Sequence, residues 1–160
     1  MIPRAAFLVH PLIPLSQRLG ALRTARFRLM FGKTDGTSLE DVGEYARLSY
    51  QGLECVVMGV PLLPQQILQD QETALRSMER AVQMAAPVSF VGLGGVLSVV
   101  AGRGSALQAN CGLPVTTGNA ATAWAASTLC RKFAQGRPVA VLGGKGTVGK
   151  AVADVLKKDG

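Results

Sequence analysis

The sequence is poor in the residues that most often carry chemistry. It holds one histidine, three cysteines and only 5% aromatic residues in 160 positions. Cys55, Cys111 and Cys130 are odd in number and none stands in CxxC spacing, so with His10 alone beside them no zinc-type ligand set exists, and no metal is expected. They read as small half-buried thiols in a reducing compartment, with the cytoplasm as the default location. Basic residues interleaved with aromatics are missing, which argues against a stacking platform for nucleic acid. Charge is scarce as well: between Ala81 and Cys130 the only charged residue is Arg103. Pro87, Gly92, Gly94, Gly95, Asn110 and Pro114 nevertheless break that stretch, and no apolar run of roughly 18–20 residues survives to span a membrane. No secretory pattern is visible, and no GK[ST] sequence closes a Walker A loop.

Acids are absent from the first 33 residues, which carry Arg4, Arg18, Arg23, Arg26, Arg28 and Lys33. The net charge of +7 is therefore concentrated at one end. A basic start of this kind is a solvated face, a patch for an anionic ligand or partner, or a targeting segment. Pro11 and Pro14 interrupt any continuous amphipathic helix there, and the solvated face is the simplest of the three.

What is present is apolar and alternating. Hydrophobic residues make up 48% of the chain, ample for a core and incompatible with intrinsic disorder. Ala5–Val9 reads as a strand, and Lys33-Thr-Asp-Gly-Thr as a turn. Tyr45–Tyr50 and Glu54–Val60 form a hairpin through Gln51-Gly52. Pro64 suits the first turn of a helix over Gln65–Ala85, whose Leu68, Leu75, Met78, Val82 and Ala85 share a face opposite most of the charges. Val88–Leu93 and Leu113–Thr116 read as strands, with a short segment around Ser105–Asn110 between them. Asn119–Phe133 is an alanine-rich helix with Asn119 suited to its N-cap, Trp124 as its one large anchor and Gly136 as its stop. Pro138–Leu142 reads as a last strand and Thr147–Lys158 as a last helix. Strands alternating with helices predict an α/β fold with a mostly parallel sheet and flanking helices.

The strongest motif is Val139-Ala-Val-Leu-Gly-Gly144-Lys-Gly146-Thr-Val-Gly149. Gly144, Gly146 and Gly149 fit GxGxxG, placed between an apolar strand and an apolar-periodic helix as a dinucleotide fingerprint requires. Gly144 would allow the tight turn, Gly146 the approach of a pyrophosphate, and Gly149 close helix–strand packing. The amides of Thr147 and Val148 would face the phosphate, with Lys145 adding charge. The same pattern also suits a glycine turn that binds nothing. A second group, Thr116-Thr117-Gly118-Asn119, joins a strand's carboxyl end to a helix start, the edge where open α/β sheets bind ligands. Asn119 there is a helix cap, a ligand contact or both. His10, following the first strand, is either a general acid/base or a hydrogen-bonded structural histidine. Gly92–Gly95 and Gly102-Arg103-Gly104 are candidate close-approach loops, and Arg103 a solvated tip or an anion ligand.

Taken in order, Phe7-Leu-Val-His10-Pro11, Gly59-Val-Pro61-Leu, Val91-Gly-Leu-Gly94, Val115-Thr-Thr-Gly-Asn119 and Gly144-x-Gly146-x-x-Gly149 resemble the predicted amino-acid dehydrogenases. These are shikimate/quinate-dehydrogenase-like proteins related to the cyanobacterial long-chain acyl-carrier-protein reductases. The resemblance implies an α/β substrate domain over residues 1–136, with 119–133 as its linking helix. It implies the first βα unit of a Rossmann domain over 137–160, a truncated start of the dinucleotide half. The implied function is the N-terminal portion of an NAD- or NADP-dependent oxidoreductase acting on a carbonyl, acyl or amino/hydroxy-acid substrate, inactive alone. Thr116, Thr117, Gly118, Asn119 and His10 would line the substrate cleft, and residues 144–149 would hold the cofactor. An acyl-carrier protein is an implied partner, and a homo-oligomer the expected state. None of the three cysteines matches the reductases' thioester-forming residue and no Lys/Asp pair is recognisable, so no catalytic residue is assigned. The alternative is a non-catalytic binding or oligomerisation module derived from a dehydrogenase half.

Overall fold

The computed structural model describes residues 4–12 and 42–158. Beyond Arg4, the cations of the basic start lie outside the described residues, as does the Lys33–Thr37 turn. Internal contacts divide the chain into two units, Met1–Thr117 and Gly118–Gly160.

In the first unit β1 (Arg4–Val9), β2 (Gly43–Tyr50), β3 (Leu53–Gly59), β4 (Phe90–Leu93) and β5 (Val115–Thr116) form one five-stranded sheet in the order β2-β3-β1-β4-β5. The β3, β1, β4 and β5 strands run parallel, and β2 returns antiparallel along β3 at the edge. The fold is therefore α/β with a mostly parallel sheet. The β2–β3 hairpin turns where expected: Gln51 and Gly52 both take positive φ, 46° and 78°, as a tight two-residue hairpin demands. The exposed edge strand carries charge, with Arg47 bonded to Glu44 at 2.7 Å and also paired with Glu54. Edge charges of this kind oppose the addition of a further strand.

Alternation decides which face is buried. Ala6 and Leu8 on β1 stand in register with Val56 and Met58 on β3 and with Val91 and Leu93 on β4. All six are buried and share one face, because side chains two apart on a strand point the same way. Against them pack Ile67, Met78, Ala81, Val82, Leu97 and Leu107. Full burial of each larger side chain contributes roughly 1.5–3 kcal/mol.

The single helix expected over Gln65–Ala85 is two, α1 (Pro64–Gln69) and α2 (Gln71–Ala85). Pro64 opens the first, as expected. Asp70 breaks the run at φ −129° and ψ 82°, and its carboxylate accepts the Thr73 amide at 2.9 Å. The residue placed among the charges of a helix face is thus the N-cap of α2. With the axis interrupted, Leu68 leaves the buried stripe and is exposed while Ile67 is buried; Met78, Val82 and Ala85 face the core as expected. The strands over Val88–Leu93 and Leu113–Thr116 form over shorter spans, and the segment after Ser105 is a helix, α3 (Ser105–Cys111).

The second unit holds α4 (Asn119–Ala134) and α5 (Thr147–Lys158). Its expected strand over Pro138–Leu142 is absent. A strand exists only through a partner's ladder, and among the described residues of this unit no second strand is present to supply one. Nor is Asn119 the cap of α4. Gly118 occupies that place at φ 72°, and its carbonyl accepts both the amide and the hydroxyl of Thr122. Trp124 is no anchor: α4 buries Ala123 and Ser127, four positions apart, and leaves the neighbouring indole 69% exposed. The stop falls as expected, with Gln135 and Gly136 both at positive φ. The Arg137 guanidinium folds back onto the carbonyls of Ala134 and Phe133, each at 3.1 Å, satisfying groups the helix end leaves open.

Candidate functional site

Two regions hold the candidate residues, one in each unit. In the first, the carboxyl ends of the parallel strands lie along one edge of the sheet. The chain leaves β1 at His10, β3 at Val60, β4 at Gly94 and β5 at Thr117, and the Val60 and Gly94 amides bond back to the carbonyls of Val9 and Leu8 at 2.8 and 2.9 Å.

His10 is held on both ring nitrogens. Nε2 accepts the Val96 amide at 3.0 Å, and Nδ1 lies 3.1 Å from the Pro11 carbonyl. An amide can only donate and a carbonyl only accept, so this network assigns the neutral Nδ1–H tautomer. The ring ties the end of β1 to the turn after β4, the structural one of its two readings. Gly95 is what admits it. At φ 55°, a Cβ there would stand 2.5 Å from His10 Nε2.

The glycines of the Gly92–Gly95 run are close-approach positions, but the approaching groups belong to the chain itself. Phe7 lies over Gly92 and Gly94, where added Cβ atoms would meet its ring at 2.7 and 3.1 Å. Tyr45 covers Gly59 in the same way. Arg103 is exposed in a turn at φ 60°. Thr116 is exposed at the end of β5 and Thr117 is half-buried. His10 follows β1 and Thr116 ends β5, the strands on either side of β4, two strand spacings or about 10 Å apart along the edge. Gly118 and Asn119 belong to the second unit, where Asn119 is the first, half-buried residue of α4.

The glycine-rich turn gathers residues 143–149 in the second unit. Its left-handed residue is Gly143, at φ 77°. The conformational demand expected of Gly144 thus falls one position earlier, and the adjacent glycine pair is the sequence signal for it. The Gly146 amide closes the turn on the Gly143 carbonyl at 2.9 Å, and the Gly146 carbonyl accepts Lys150 N at 2.8 Å, starting α5. Gly149 is sterically required: a Cβ would lie 2.3 Å from the Gly143 oxygen and 2.8 Å from its carbon. Helix and turn therefore touch backbone to backbone; the contact is with the turn rather than with a strand, as the expected helix–strand packing would have it. The amides of Thr147, Val148 and Gly149 occupy the first turn, which has no intrahelical acceptors for them. Lys145 is exposed beside them. Lys150 pairs with Asp154 at 2.6 Å, and that bond holds the Asp154 carboxyl below its ordinary range.

The cysteines are unpaired and half-buried. Burial pushes the Cys55 thiol up, and burial followed by the nearby Glu79 carboxylate does the same at Cys111. Neither is a thiolate poised to attack. Among the described residues no group of three potential ligands is placed to hold a metal, and no helix is long and apolar enough to cross a membrane. No family model matches the chain, and no curated protein matches it. The functional reading accordingly stands on the motifs and their geometry.

Proposed function

We propose that residues 143–149 form the pyrophosphate-binding turn of an NAD or NADP site, and that the chain is the N-terminal portion of an NAD(P)-dependent oxidoreductase. The Gly149–Gly143 backbone contact carries this reading. It draws the start of α5 onto the turn, and the amides of Thr147 and Val148 there lie in a first helical turn that leaves them without intrahelical acceptors, open to a diphosphate. In this role Gly144 and Gly146 keep the approach clear and Lys145 contributes charge. The first unit, with the dehydrogenase-like identity its motifs imply, supplies the substrate side. Thr116 and Thr117 there are the residues this reading assigns to a carbonyl, acyl or amino/hydroxy-acid substrate. His10 serves that cleft as a scaffold, since both ring nitrogens are engaged. The free thiols suit a cytoplasmic setting.

The test is a titration of the chain with NAD, NADP and inorganic pyrophosphate, followed by amide NMR. Shifts concentrated at residues 144–149 are expected, and Thr147→Glu, which puts a carboxylate in the anion's place while suiting a helix start, should abolish them. Shifts elsewhere, or shifts that survive Thr147→Glu, sink the proposal. A second reading, a binding or oligomerisation module, is favoured by Trp124, Leu129 and Phe133, all more than half exposed on α4. Light scattering that shows self-association without any nucleotide response would decide for it.

A further inference from the structure

At the amino ends of β4 and β5, the end of the sheet away from His10 and Thr116, the first unit holds an open cavity of about 730 Å³. Glu79, Val82, Gln83 and Ala86 line it, and their spacing of three and four puts them on one stripe of α2 and its cap. Val88 and Leu113, where the chain enters β4 and β5, add apolar surface. Among the described lining residues Glu79 alone is charged. Asn110 Nδ2 donates to its Oε1 at 2.5 Å, a neutral partner that fixes the carboxylate without cancelling its charge. Arg76, one turn earlier, is committed to Glu72 at 3.4 Å, and Arg80 stands about 100° round the helix from Glu79. The last turn of α2 holds no basic residue, so its open carbonyls add to the negative field. That field is felt in the lining: after burial, the Glu79 carboxylate is what pushes the Cys111 thiol up.

We infer that this cavity binds a primary ammonium carried on a short apolar body, an aliphatic amine in its protonated form. The ammonium has three N–H donors. One meets the Glu79 carboxylate, and the others suit the Gln83 amide oxygen and the open carbonyls at the end of α2. The apolar body lies on Val88 and Leu113. Charge and donors together select the ligand: the field that attracts an ammonium repels an anion, and a neutral alcohol of the same size gains little beyond apolar contact. The inference is independent of the dinucleotide reading, which concerns residues 143–149, and of the substrate edge at the other end of the strands.

The test follows alkylation of Cys111 by iodoacetamide at pH 8 in the full chain. Cys111 lines the cavity, whereas Cys55 on β3 does not and serves as the internal control. Butylammonium at constant ionic strength should protect Cys111 and leave the Cys55 rate unchanged; butanol should protect neither. N,N,N-trimethylbutylammonium, which is charged but has no N–H to donate, should need a higher concentration for the same protection. Glu79→Gln keeps an acceptor for Asn110 and removes only the charge. Its half-protecting concentration of butylammonium, read against the variant's own basal rate, should rise roughly tenfold. Absence of Cys111 protection overturns the inference, as does equal protection by butanol or by the trimethyl form. An unchanged half-protecting concentration in Glu79→Gln overturns it too.

Discussion

Replacing Gly149 by alanine tests the contact on which the cofactor reading turns. In an ordinary helical position the change is favourable, by up to about 1 kcal/mol, because alanine loses less backbone freedom on folding. Here the new methyl would lie 2.3 Å from the Gly143 oxygen and 3.1 Å from the Gly144 Cα, and both obstacles are backbone. Neither can rotate aside, so α5 must shift away from the turn or the turn must open. Overpacking of this kind costs roughly 1–3 kcal/mol, and Gly149 lies in the first helical turn, where alanine's propensity gain is smallest. The net expectation is a loss of about 1–2 kcal/mol in the second unit. Native-state hydrogen exchange of the α5 amides reads this locally, as protection falling roughly 5–30-fold. Gly43→Ala is the control, since nothing lies within 4 Å of its added Cβ and its φ is ordinary. Protection in Gly149→Ala equal to or above that of the unsubstituted chain would mean that helix and turn do not touch as described, and the cofactor reading would lose the contact that carries it.

Other expectations follow from the first unit. His10→Ala removes the acceptor of the Val96 amide and should lower stability by about 1–2 kcal/mol in urea unfolding. Gly95→Ala should do comparable harm through the same contact, and a neutral result in both would remove His10 from its bridging role. Hydrogen bonds from Thr73 hold the Asp70 carboxyl below its ordinary value. The cap therefore contributes fully above the unfolded carboxylate range and is lost as pH falls below about 4. In Asp70→Asn, which keeps an acceptor but not the titration, α2 protection should show a shallower acid dependence; an identical profile would refute the assignment. At pH 8 Cys55 and Cys111 should alkylate more slowly in the folded chain than in urea, because burial suppresses their thiolates. Equal rates in both states, resolved by peptide mass mapping, would count against that placement.

Much of the fold was legible because it is local. Apolar runs, the Gln51-Gly52 turn and the periodicity of Met78, Val82 and Ala85 announce strands, hairpin and helix without reference to the rest of the chain. The helix Thr147–Lys158 stands where its pattern places it. The errors share a cause, since each depended on a partner or on a backbone angle. Asp70 reads as one more helical charge until its backbone turns out of the helix and its side chain takes the Thr73 amide. Gly118, not Asn119, caps α4, because a left-handed residue is needed there. Pro138–Leu142 has the composition of a strand, but composition cannot supply the neighbour whose hydrogen bonds make it one.

The candidate site divides in the same way. Sequence alone determined which residues carry it, because GxGxxG spacing between an apolar run and an amphipathic helix is a local pattern, as are the sheet's alternation and the shortage of histidine and aromatics. Tertiary structure alone decided what those residues touch. It turned His10 from a possible acid/base into a neutral bridge, because both its nitrogens meet main-chain groups, one of them 86 positions away. It moved the left-handed turn residue to Gly143 and showed that Gly149 is required by a backbone oxygen. Such roles depend on distances between atoms that only folding brings together.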